Sequence, residues 1–303
     1  MSHDHHHHDH HNGHEAREGD VGAFRVAFFL NLIFTVVELI GGLLTNSVAI
    51  LSDAVHDLGD SISLLFSWAM ERIAGRRRTP KQTFGYKRYS VLGAIVSAAV
   101  LLVGSIFVMM EAIPRLFAPE TVHPEGMLPL AVAGIAFNLL AVLRLRGGET
   151  LNRRVVVLHL MEDVLGWIGV LVVSIVLLFA DLPILDPILS VAVTLFVLSR
   201  IVPRLKHALG VFMQYAPADI DIDRIESQLT DMDHVEGLHD VHAWSLDGSY
   251  HLFSSHVVID EDLSLSELEE LKAGIKEKLA QWGIHHVTLE FESGAAGCAE
   301  CDL

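Results

Sequence analysis

Long apolar runs, broken by short polar stretches, dominate the first two thirds of the chain. Six of them, at about residues 24–44, 47–70, 90–112, 127–145, 155–180 and 185–203, approach or exceed the roughly 20 residues that cross a hydrocarbon core about 30 Å thick. They predict six membrane helices, and an even count puts both termini on one side. Beyond residue 207 the pattern changes. Residues 219–231 set Ile222, Ile225 and Leu229 on one side of a short helix. Val235 to Leu246 and Tyr250 to Ile259 read as strands joined at an Asp247-Gly248 turn. Ser264 to Trp282 reads as an amphipathic helix opened by a Ser264/Glu267 capping box, and His285 to Glu292 alternates as a last strand. The expected fold class is a six-helix membrane α-helical unit followed by a small α+β domain of order αββαβ.

Composition sharpens this picture. Of 303 residues 51% are hydrophobic and 19% charged, below the usual share of about 25%, which excludes a purely soluble globular protein. Arg72, Arg76, Arg77, Arg78, Lys81, Lys87 and Arg88 separate the second and third runs, and Arg144, Arg146, Arg153 and Arg154 the fourth and fifth. The opposite connections hold only Arg115. An excess of Lys and Arg marks cytoplasmic loops, so both termini are expected in the cytoplasm of a multi-pass cell-membrane protein. Residues 207–303 hold 4 Lys+Arg against 20 Asp+Glu, a charge of -16 within a whole-chain value of -17. Such a domain repels nucleic acid and draws cations. The expected domains are a disordered His-rich tail (1–20), the membrane unit (21–206), the α+β regulatory and dimerisation domain (207–292) and a short tail (293–303) with the two cysteines, Cys298 and Cys301. Eight histidines crowd the first fourteen residues, with Asp4 and Asp9 between them. That segment reads as a purification tag or as a natural metal-collecting tail, and no signal peptide precedes the first long run.

The second run contains Asp53, His56, Asp57 and Asp60, groups that are costly in lipid and mark function. At about 100° per residue His56 and Asp60 share a face, Asp53 falls near Asp60, and Asp57 points elsewhere. His159 and Asp163 repeat the i, i+4 pair in the fifth run. Each pair can supply two vertices of a tetrahedron, and two imidazoles with two carboxylates suit the borderline character of Zn²⁺, with Cd²⁺, Co²⁺ and Ni²⁺ as competitors. Hydrogen-bonded core histidines are the bland alternative, and Glu162 is a rival ligand that breaks the symmetry. Asn31 and Glu38 share a face of the first run, lining an ion path or, for Glu38, bonding to a neighbouring helix. Asn138 reads as interhelical glue. In the acidic domain His234, His239, His242, His251, His256, His285 and His286 lie among carboxylates. The Cys298-x-x-Cys301 tail is half a zinc site, and no disulfide framework is expected.

Several segments together resemble the zinc-transporting branch of the cation diffusion facilitators. They are SVAILSDAVHDLGD, TFGYKRYSVLGA, VVVLHLMEDVLGWIGV, DPILSVAV, HDVHAWSLDGSYHLFSSHVVID and GIHHVTLEFE, and they cover nearly the whole chain. The resemblance implies that His56, Asp60, His159 and Asp163 form the transport site. It implies a cytoplasmic metal site from His239, His256, His285, Glu292, Cys298 and Cys301, a metallochaperone-like domain, a homodimer, and exchange of the transported ion for protons. No catalytic cofactor is expected; Zn²⁺ is cargo and regulator. The chain departs from the family at Ser90 and Gln214, where relatives often carry acids, in the loop 74–86, which lacks the His and Asp of an additional metal site, and at Asp57, where an apolar residue is common. A membrane-anchored zinc sensor and a uniporter without proton coupling remain as alternatives, whereas an intramembrane zinc hydrolase would need a His-Glu-x-x-His helix that is missing.

Overall fold

The computed structural model describes residues 12–145, 151–260 and 263–293, with side chains over 28–29, 31–143, 160–260 and 263–293. Six long helices come first: α1 (Asn12–Thr45), α2 (Val48–Ala74), α3 (Arg88–Phe117), α4 (Pro124–Leu145), α5 (Leu151–Phe179) and α6 (Leu185–Phe212). Each apolar run became a helix. The backbone of α1 is helical from Asn12 onward, where Glu15, Ala16 and Glu18 favour helix. The histidines before Asn12 lie outside the described residues. Four stretches among the described residues, on α3, α4, α5 and α6, are long and apolar enough to cross a membrane by length and composition, and α1 adds a shorter one over Asn31–Thr45. The carboxylates of α2 keep it below that threshold.

The chain divides into two compact units. The first combines residues 1–65 with 97–202, the second 66–96 with 203–303. In the first, Trp167 of α5 is fully buried, and its indole rides so close to Gly134 of α4 that an added Cβ would sit 2.2 Å from the ring. Phe34 of α1 stacks on Phe137 at 4.9 Å and meets Trp167 edge-on at 5.6 Å. Ala49, Ile50, Met127, Ala131 and Val170 complete this core. Asn138 donates to the Gly134 carbonyl within its own helix at 3.2 Å, so it caps a local carbonyl and is not the interhelical bond expected of it.

At the start of α2 the free N–H groups of the first turn point at one carboxylate. Asp186, fully buried, accepts from Ser47 Oγ at 2.5 Å, Val48 N at 2.7 Å and Ala49 N at 3.4 Å. Anionic oxygen at a helix N-terminus satisfies orphan donors and meets the positive end of the helix dipole. Asp186→Ala strands three buried donors and is expected to cost about 3 kcal/mol. Asp186→Asn, which keeps one acceptor, should lose less. Thermal unfolding in detergent measures both, and midpoints equal to that of the wild type would mean that the bonds contribute nothing.

The second unit holds the α+β domain: α7 (Ile222–Thr230), β1 (Val235–Ser245), β2 (His251–Ile259), α8 (Leu265–Gln281) and β3 (Ile284–Ser293). Asp221 caps α7 by accepting from Arg224 N, and the Ser264/Glu267 capping box on α8 is complete. The sheet order is β1-β2-β3, antiparallel then parallel. Ile225, Leu229, Phe253, Val257, Ile275 and Leu279 fill its core. At the hairpin Gly248 takes φ +90° and Asp247 accepts from Ser249 N and Tyr250 N. Lys87, in the segment before α3, bonds Asp247 at 2.8 Å and lies over the Tyr250 ring. Burial pushes the Asp247 carboxyl up, but the Lys87 ammonium and the Tyr250 and Ser249 donors outweigh it and hold it at about 2. The stabilisation is therefore present above the ordinary carboxylate range near pH 4 and disappears as pH falls through about 2.

Candidate metal-binding sites

Helical spacing on α2 stacks His56 over Asp60, with Nε2 3.6 Å from Oδ2. Both side chains are largely shielded, at 19% and 16% exposure. Asp163, on α5, is 6% exposed. The side chain of His159 lies outside the described residues, though its position on α5 one turn before Asp163 is as expected. Asp53 points its Oδ1 at α5, 3.9 Å from where a Cβ on Gly166 would be, so α2 and α5 face each other here across a glycine. Glu162, the rival ligand, is ion-paired with Arg200 of α6, which occupies its carboxylate. A water-sized cavity beside His56, lined also by Ser52, Ser105 and Thr194, gives the site polar surroundings in an otherwise apolar wall.

The membrane site is more acidic than the two pairs alone suggested. Asp57, expected to point elsewhere, is 2% exposed and within electrostatic reach of Glu38, Asp53, Asp163 and Asp60. The reason is that α2 is enclosed on more than one side, since Glu38 of α1 approaches it as well. Glu38 is fully buried, and among the described residues neither carboxylate oxygen has a hydrogen-bond partner. The neighbouring-helix bond that was one expectation for Glu38 is thus not made. Asn31 instead donates to Ser61 Oγ of α2 at 3.4 Å.

In the α+β domain, three strands each bring one ligand to a common face. His239 of β1 and His256 of β2 are direct cross-strand partners, with ring centroids 5.0 Å apart. Glu290 of β3 pairs with His256, so Glu292, two residues on, returns to the same face. Glu292 reaches His239 Nε2 at 3.0 Å and His256 Nδ1 at 2.8 Å. The three ligand atoms lie within 4.8 Å of one another, compatible with three vertices of a tetrahedral ion. A register shift between His239 and His242, with Asp240 at φ +50°, turns Asp240 toward His242 at 2.9 Å and His256 at 3.6 Å. His285 is not brought to this trio within the chain. It accepts from His251 N at 3.3 Å and stacks on Tyr250 at the other end of β2. Cys298 and Cys301 lie outside the described residues. Asp240 was missed from sequence because a bulge in one strand carries no residue-type signature.

Ligand-type side chains buried in long apolar helices, in a chain that also carries an α+β domain with its own His/Glu cluster, define an ion-handling multi-pass membrane protein. Residues 24–213 match the cation efflux transmembrane domain, and residues 217–293 the cytoplasmic domain of cation efflux proteins. The chain belongs to the cation efflux family. It is 35% identical over 274 residues to a cadmium, cobalt and zinc/H(+)-K(+) antiporter of Bacillus subtilis, covering 89% of this chain and 88% of that protein. The metal cation efflux system protein CzcD of Cupriavidus metallidurans is 33% identical over 288 residues, covering 94% and 90%. The zinc transporter ZitB of Escherichia coli is 31% identical over 285 residues, covering 91% and 89%. Among solved structures, a metal-bound C-terminal domain of a CzcD transporter matches at 32% identity, covering 24% of this chain and 99% of that one, with a TM-score of 0.21.

Proposed function

We propose that this protein exports a divalent metal cation, with Zn²⁺ the preferred cargo, from the cytoplasm in exchange for protons, and that His56, Asp60, His159 and Asp163 hold the ion in transit. The observation that carries this reading is the stacked His56/Asp60 pair on α2 together with a buried Asp163 on α5. Two carboxylates neutralise the doubly charged ion where no water can, and imidazole nitrogen favours zinc over oxygen-seeking ions. Relatives named for zinc, cadmium, cobalt and proton exchange, and in Bacillus also for potassium, support the same class of cargo. The basic loops after α2 and α4 support cytoplasmic termini. Zinc uptake into inverted vesicles, with and without an acidic interior, tests the reading. Uptake indifferent to the gradient would leave a uniporter, and no uptake at all would leave the sensor.

The α+β domain on this reading forms the dimer and responds to metal. Two copies, each strongly acidic, repel one another when empty, and an ion held by His239, His256 and Glu292 reduces that repulsion. His256→Ala removes one of three clustered ligands and is expected to weaken zinc binding at this site at least about tenfold. Distances between spin labels on the two domains of the full-length dimer should shorten with zinc in the wild type and stay put in the variant. A wild-type distance that ignores saturating zinc would rule the response out.

A further inference from the structure

The loop after α2 and the hairpin of the α+β domain, both in the second unit, enclose a cavity of about 630 Å³, within the size range of small-molecule sites. Its basic groups are not all committed. Lys87 is taken up by Asp247 at 2.8 Å. Arg76 and Arg78 also line the cavity, and among the described residues no ion pair or side-chain hydrogen bond engages either guanidinium. Besides Asp247, Glu71 is the acid on this wall. Residues 72–88 contain Arg72, Arg76, Arg77, Arg78, Lys81, Lys87 and Arg88 and no acid, so the potential here is positive even though the chain as a whole is acidic. Thr83 and Tyr86 add hydroxyl donors, and Phe84, 54% exposed, meets His286 edge-on at 5.9 Å to give the cavity an aromatic side.

The depth of the cavity along α2 narrows the ligand. Trp68 is 60% exposed, with the Arg72 guanidinium 5.6 Å from its ring centroid, the arrangement of an aromatic anchor at a membrane interface with a cation on its polar side. Glu71 and Ala74, where the cavity starts, lie about 5 and 9 Å further along the helix axis. That interval is the headgroup layer on one side of a bilayer.

We propose that this cavity binds the phosphate diester headgroup of an anionic phospholipid, with the guanidinium groups of Arg76 and Arg78 as its anion-binding groups. The inference goes beyond the transport reading and does not depend on it. A guanidinium presents paired N–H donors that match two phosphate oxygens, whereas a zwitterionic headgroup brings a second cation into the same positive field. A soluble phosphate ester carries the same oxygens, but a lipid holds its phosphate at this depth already. On the cytoplasmic placement proposed above for this loop, the adjoining leaflet is the one whose anionic lipids give it a negative surface potential. Because Tyr250 and His286 line the same cavity, a lipid held there ties the loop after α2 to the sheet of the α+β domain.

Native mass spectrometry of the full-length protein in detergent, titrated with phosphatidylglycerol, should show one lipid per chain retained in preference to phosphatidylcholine. Arg76→Gln combined with Arg78→Gln should raise the half-saturating phosphatidylglycerol concentration at least about tenfold. Arg77→Gln combined with Lys81→Gln removes the same charge from exposed residues of the same loop that do not line the cavity, and should leave that concentration close to the wild-type value. Equal losses in the two double variants would reduce the effect to the general charge of the loop and overturn the site, as would equal retention of phosphatidylcholine. Inorganic phosphate and glycerol phosphate are the soluble arms: saturable binding of either with no lipid retained overturns the lipid assignment in favour of a free phosphate. Should the first double variant fail to fold, phosphatidylglycerol with a photoreactive headgroup decides on the wild type. Crosslinks to residues 74–90 or to His286 sustain the proposal, and crosslinks confined to other segments overturn it. None of these readouts requires zinc to move, so failure here leaves the transport reading standing, and failed zinc uptake leaves the lipid site standing.

Discussion

Asp163→Ala is expected to abolish zinc transport while the protein still inserts in the membrane. The carboxylate sits at 6% exposure on α5, and no second acid on that helix can take its place, because Glu162 is committed to Arg200. On the proposed ligand set, removing it opens one vertex of the tetrahedron and leaves a doubly charged ion with one fewer neutralising oxygen in a low-dielectric setting. Losing a group that merely orients a metal ligand weakens metal sites by about 10–100-fold, so loss of a ligand is expected to lower uptake at least about a hundredfold. The Trp167–Gly134 contact and the Asp186 cap of α2 do not involve Asp163, so thermal stability in detergent should change little. Uptake near the wild-type rate would remove Asp163 from the ligand set. His159→Asp gives the converse test, since trading nitrogen for oxygen should move preference from Zn²⁺ toward Mn²⁺ in competition uptake.

How far the sequence could be read depended on whether the signal was periodic. Six apolar runs of membrane length and the αββαβ alternation need no tertiary information, and the helices and strands fall where the periodicity put them, even to the Ser264/Glu267 capping box. The stacking of His56 on Asp60 follows from helical geometry alone. For Asp57 a helical wheel assigns a direction on one helix and is silent about how many neighbours enclose it, and the structure buries it within electrostatic reach of Glu38 of α1. The cap formed by Asp186 joins residues 137 to 139 apart, and the turn of Asp240 toward His242 and His256 depends on a register shift, neither of which leaves a pattern along the chain. His285 was expected as a ligand from the resemblance to the family, and parallel pairing of β2 with β3 places it at the opposite end of the sheet from Glu292.

Loading the membrane site with zinc should release protons, and the number released should set how steeply affinity rises with pH. Zn²⁺ binds neutral imidazole and ionised carboxylate, so on the proposed ligand set the ion and the proton contend for the same lone pairs on His56, Asp60, His159 and Asp163. With His56 Nε2 only 3.6 Å from Asp60 Oδ2, a proton held between them occupies an electron pair from each ligand that the metal needs. An ordinary imidazole titrates near pH 6.5, inside the range between a mildly acidic exterior and a neutral cytoplasm. By linkage, each proton displaced makes zinc affinity rise about tenfold per pH unit over the range where it titrates. On the acidic side protons therefore assist release and hinder rebinding. On the neutral side they leave and the site reloads, provided that α2 and α5 move as one body so that the tetrahedron stays whole. Calorimetry of zinc binding in buffers of different ionisation enthalpy counts the protons directly, and cytoplasmic-site binding can be subtracted with the His256→Ala variant. A binding enthalpy independent of the buffer, with affinity flat across pH 6 to 7.5, would exclude exchange at these ligands and place proton coupling elsewhere in the molecule or nowhere.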